Sequence, residues 1–101
     1  MMPTFKNLKF RPHQIDSKYI RASLELKPNI TLSVVAGPGM YSLPGGSGDR
    51  SKFDEYPDSN DFSSFEVMVI DETLSNDAQA DVIGWQSRED INNLIVKIIN
   101  G

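Results

Sequence analysis

The run of residues 30–36, Ile-Thr-Leu-Ser-Val-Val-Ala, followed at once by Gly37-Pro38-Gly39, constrains this chain most. Ile30, Leu32 and Val34 alternate with Thr31 and Ser33, the period-2 pattern of a strand that buries one face. The run is rich in β-branched residues, carries no charge, and stops at a breaker that neither strand nor helix continues. Edge strands use charge to discourage pairing with other chains, so a strand without any belongs in the middle of a sheet.

The neighbours follow from it. In residues 19–27, Ile20, Ala22, Leu24 and Leu26 face one way, and Arg21, Ser23, Glu25 and Lys27 the other. Pro28-Asn29 turns this strand into the central one. A plain two-residue loop would set Leu24 opposite Ser33 and Glu25 opposite Leu32, polar against apolar on a shared face. An odd-length loop or a bulge restores the match, with Leu26 facing Leu32, Leu24 facing Val34 and Ala22 facing Ala36. Residues 64–71 read as a further strand, antiparallel to the central one, with Phe65, Val67 and Val69 on one face. Met68 and Ile70 make its second face largely apolar, so both faces are expected to be covered in part.

The alternation of Leu8 and Phe10 predicts a short first strand over residues 4–10, stopped by Arg11-Pro12, and a loop over 13–18. Residues 72–80 are a polar turn, and residues 81–85 a brief edge strand or bridge. Ser87, followed three residues later by Asp90, resembles a capping box with Asp in place of Glu. Ile91, Leu94, Ile95 and Ile98 then form one apolar stripe at helical spacing. These elements predict an α+β fold: a mainly antiparallel sheet of four to five strands with one C-terminal helix packed on one face. The chain is a single domain, 1–101, with a long loop insertion at 37–63. That loop holds Leu43-Pro44-Gly45-Gly46-Ser47-Gly48, and connections of such length are normally functional or disordered. Its aromatics Tyr41, Phe53, Tyr56 and Phe62 predict that part of it packs down.

Zero cysteines exclude a disulfide scaffold and any cysteine-based zinc site or nucleophile. No apolar run approaches the roughly 20 residues a membrane helix needs. Met1-Met2-Pro3 lacks a basic segment leading into an apolar one, so the expected location is cytoplasmic. The net charge of −4 conceals a division: residues 1–36 sum to +4 and residues 49–81 to −8.

Little in the chain suggests catalysis. His13 is the only histidine and has no accompanying motif, so it reads as a loop residue. The glycines of 37–48 suggest a small-ligand alternative, a cradle for a nucleotide-like anion, although no phosphate-loop spacing is present. Asp58-Ser59-Asn60-Asp61 offers oxygen ligands but lacks the calcium-loop glycine and glutamate, and reads as a solvated turn. The bases and aromatics of the first third superficially suit nucleic acid, yet the pI of about 4.8 argues against it. No cofactor, no metal, no membrane and no nucleic-acid partner is expected. The acidic stretch suits a basic protein surface. The residues assigned to that contact are Tyr41, Asp49, Phe53, Asp54, Glu55, Tyr56, Asp58 and Asp61. A self-pairing edge strand would also permit a homodimer.

Three stretches carry a resemblance: Ser33-Val34-Val35-Ala36-Gly37-Pro38-Gly39-Met40-Tyr41, then Phe65-Glu66-Val67-Met68-Val69, then Asp81-Val82-Ile83-Gly84-Trp85 before the acidic-capped helix. In this order they resemble a group of small, uncharacterised accessory proteins of tailed bacteriophages, over residues 30–99. Trp85 replaces the group's more usual tyrosine, and the insertion at 42–63 is a departure. The resemblance implies no catalytic residue. It implies a non-enzymatic phage accessory protein in the bacterial host cytoplasm that binds and inhibits or modulates a host protein. Counter-defence, such as anti-CRISPR-like inhibition of an antiviral nuclease, would be one such role.

Overall fold

The computed structural model describes residues 2–45, 50–73 and 80–101. Among the described residues, five antiparallel strands lie in chain order: β1 (Arg11–Pro12), β2 (Ile20–Lys27), β3 (Ile30–Ala36), β4 (Phe65–Asp71) and β5 (Ala80–Gln86). The helix α1 (Arg88–Asn100) follows them. The uncharged β3 is the middle strand, as expected of it.

β2 and β3 meet with Ile20 opposite Ala36, Ala22 opposite Val34 and Leu24 opposite Leu32. Apolar faces apolar, and the device is a bulge between Glu25 and Lys27. The expected partners are nonetheless displaced by two residues. The expected pairing places the extra residue on the β3 side of the turn, whereas here it lies on β2. Pro28-Asn29 stays a two-residue turn, because Asn29 adopts φ 71, a left-handed conformation that asparagine tolerates.

β4 continues the pattern on the other side, with Leu32 opposite Val69 and Val34 opposite Val67. Ile20, Ala22, Leu32, Val34, Ala36, Phe65 and Val67 form one buried layer, which Ile91 and Ile95 of α1 close. The capping box is present: Asp90 N–H donates to Ser87 Oγ, and Ser87 N–H to Asp90 Oδ2, each at 3.0 Å. A helix of this length is held mainly by such burial, since isolated short helices are marginal in water.

The first strand is not where the alternation places it. Residues Phe5–Asn7 form a 3₁₀ turn, and pairing begins only at Arg11. Thr4 caps the turn, with the Asn7 side chain answering the Thr4 N–H. Local side-chain hydrogen bonds of this kind compete with strand pairing. Phe5 N–H also donates to Asn92 Oδ1 at 2.7 Å, fastening the segment to α1. Phe5 and Phe10 consequently lie on Phe65, with ring centres at 5.2 and 5.6 Å.

The other face of the sheet carries Arg21, Ser23, Val35, Glu66, Met68 and Ile70. Among the described residues no helix lies over it. Met68 and Ile70 are nonetheless half-buried, so the second face of β4 is covered in part, as expected.

The long connection packs down in part. Phe62 is buried and Phe53 lies against the core, while Tyr41 and Tyr56 remain exposed. Gly37 is buried at φ 147, and a Cβ there would stand 2.5 Å from the Tyr19 ring, which only glycine avoids.

Candidate functional site

β5 is longer than expected and is broken by a bulge. Ile83 pairs with Val67 and Gln86 with Phe65, so Gly84 and Trp85 together stand opposite Glu66. Trp85 adopts φ 52. A bulky non-glycine residue held in that region costs about 1–3 kcal/mol and persists only where its surroundings enforce it. Here they do. Trp85 N–H donates to the Tyr41 carbonyl at 2.8 Å, and Leu43 bridges to Ser64 at the start of β4. A Cβ on Gly84 would approach the Tyr41 Cβ to 2.8 Å, so glycine allows the loop to lie this close.

The outcome is a pair of aromatic rings facing water. Tyr41 and Trp85 stand 5.0 Å apart between centroids, with 51% and 54% of their surface exposed. Leu43, two residues from Tyr41, is 54% exposed. Neither ring belongs to the core cluster. A strained strand end that holds its tryptophan out of the core is costly for folding alone.

Acids adjoin this patch. Pro44, next to Leu43, lines a small cavity of about 200 Å³ together with Phe53, Asp54, Pro57, Asp61 and Phe62. Phe53, Asp54 and Asp61 are thus brought together. Asp54 and Glu55 are exposed, as is Tyr56, whose N–H donates to the Ser17 carbonyl at 2.8 Å. Asp58 and Asp61 cap the 3₁₀ turn Ser59–Asp61 reciprocally, with Asn60 N–H donating to Asp58 at 2.7 Å and Asp58 N–H to Asp61 at 2.9 Å. Each carboxylate thus accepts from backbone N–H, and among the described residues no group of three or more potential ligands could hold a metal ion. Asp49 lies outside the described residues. Trp85 and Leu43 were missed by sequence reasoning. The available signal was Gly84 within an apolar strand pattern, which often marks a bulge.

Three donors of the glycine loop bond within it. Gly37 N–H donates to Ser42 Oγ at 3.2 Å, Ser42 Oγ to the Pro44 carbonyl at 2.9 Å, and Met40 N–H to the Gly37 carbonyl at 3.1 Å. Gly46 and Gly48 lie outside the described residues. His13 Nδ1 accepts from Ile15 N–H at 3.2 Å and its ring abuts Tyr19, roles internal to its loop.

A second cluster ties the insertion to residues 16–19. Arg50 pairs with Asp16, lies near the Tyr19 ring, and accepts Lys18 Nζ on its carbonyl at 2.8 Å. The Lys18 N–H bond, aided by Arg50, holds the Asp16 carboxyl below the ordinary carboxylate range. Its folded pKa is therefore lower than its unfolded one. The stabilisation is complete above the unfolded value and disappears as pH falls through the folded value. Denaturant titrations across acid pH should show a steeper loss for the parent chain than for Asp16→Asn. Equal slopes would contradict this role.

No family model, curated protein or solved structure matches the chain. Among the described residues no helix is long and apolar enough to cross a membrane.

Proposed function

We propose that this protein is a non-enzymatic binding module that occupies a host protein and inhibits or modulates it, in the setting of a phage accessory factor. The observation that carries the reading is the Tyr41–Trp85 pair, half-exposed on a strained bulge. Tyrosine and tryptophan dominate the energetics of protein contacts, because they bury large areas at small cost in side-chain entropy. Leu43 extends the apolar centre, and the carboxylates of Asp54 and Asp61 lie beyond Pro44. An apolar centre flanked by anionic groups suits a partner whose pocket is rimmed by Lys and Arg.

Anionic steering makes the association sensitive to salt, because charges separated by more than about 8 Å are screened at physiological ionic strength. Capture from host lysate at low and at high salt tests the proposal. The expected result is one basic protein that is retained at low salt and depleted at high salt. Capture that is indifferent to salt, or equal for a Tyr41→Ala/Trp85→Ala chain, would overturn it.

A further inference from the structure

At the sheet edge formed by β1 and β2, three bases converge without acids. Arg11 and Arg21 are directly opposed across the two strands. With Lys9 they line a cavity of about 470 Å³, alongside Pro12, Gln14, Ala22 and Ser23. No carboxylate is among its lining residues. Like charges directly opposite one another destabilise a strand pair. An acid or a neutral residue at either position would serve the fold better.

The other two arginines of the chain show the contrast. Arg50 has Asp16, and Arg88 lies over the rings of Phe5 and Phe65 and donates to the Ser59 carbonyl. Among the described residues, no carboxylate pairs with Lys9, Arg11 or Arg21. Two guanidinium groups beside an ammonium group form a setting for a multiply charged oxyanion, since guanidinium binds phosphate through paired N–H donors. Gln14 and Ser23 add neutral donors and acceptors.

We propose that this cleft binds a small phosphorylated ligand of nucleotide size, a second site independent of the protein contact described above. The volume lies within the roughly 300–1,000 Å³ of ordinary small-molecule sites. A net charge of −4 works against a long polyanion, whose field is repelled by the rest of the molecule, more than against a compact ligand.

The test is titration of the isotope-labelled full chain with ADP, with inorganic pyrophosphate and with a single-stranded oligonucleotide, followed by amide resonances. ADP and pyrophosphate should produce saturable shifts centred on Arg11, Gln14, Arg21 and Ser23, at a Kd of about 1 mM or tighter. Arg11→Gln and Arg21→Gln should each weaken binding about tenfold, whereas Lys27→Gln should leave it unchanged. The same spectra report whether each variant is folded. Relief of the opposed charges should also raise the low-salt melting temperature of Arg11→Gln, the reverse of what a structural arginine would do. The proposal is overturned if ADP and pyrophosphate cause no saturable shift, if both arginine variants bind like the parent, or if the oligonucleotide binds the cleft more tightly than either small ligand.

Discussion

Phe65→Ala should remove about 3–5 kcal/mol of folding stability, the range for deleting a fully buried aromatic side chain. Phe65 has no exposed surface and touches the rings of Phe5, Phe10 and Phe62, with the Arg88 guanidinium 5.2 Å above it. It therefore joins the N-terminal turn, the insertion and the start of α1 to the sheet. A domain of this size holds on the order of 5–15 kcal/mol in all, so the loss should leave a marginal or unfolded chain. Urea denaturation measures it. Phe53→Ala provides the comparison, since Phe53 is only half-buried and should cost visibly less. A Phe65→Ala chain as stable as Phe53→Ala would contradict this arrangement of the core.

The largest functional effect is expected at Trp85. Trp85→Gly removes the ring and at the same time relieves a φ of 52 that glycine adopts freely. The lost ring contact with Tyr41 costs about 0.5–1.5 kcal/mol beyond the burial of the covered half of the ring. A glycine in a strand costs about 0.5–1 kcal/mol more, while the relieved strain returns about 1–3 kcal/mol. The terms nearly offset one another, so the variant should stay folded with a modest change in stability. Affinity for the captured partner should fall by about 2 kcal/mol or more, roughly thirtyfold, as for a central aromatic of a protein contact. A folded variant that has lost its partner separates function from folding. A variant that binds like the parent would remove Trp85 from the contact, and one that unfolds would make the residue structural.

The sheet was legible because its strands alternate over seven or eight residues and Leu24 opposite Ser33 is a mismatch that an odd-length loop or a bulge removes. On which strand the extra residue falls, and so the actual pairing of Leu24 with Leu32, was not legible. The helix was legible because Ser87 and Asp90 flank its start and Ile91 and Ile95 follow at helical spacing. The N-terminal segment was misread because Leu8 and Phe10 alternate over too few residues to exclude a turn. There Thr4 and Asn7 cap one another and Asn92 accepts from Phe5, a contact no local pattern reveals. The candidate contact was half legible. Tyr41, Asp54, Glu55 and Tyr56 are exposed as their loop context suggests. Trp85 was hidden because a tryptophan in an apolar run reads as core, and only the bulge opposite Glu66 turns it outward. The opposed arginines of β1 and β2 were invisible for a related reason, since their pairing depends on a strand of two residues.

Trp85 is the sole tryptophan of the chain, so its fluorescence reports on one place. The account predicts solvent-like emission that acrylamide quenches readily in the free protein, and a blue-shifted, protected emission once the captured partner is added. Emission already shielded in the free protein, or unchanged in the complex, would contradict it.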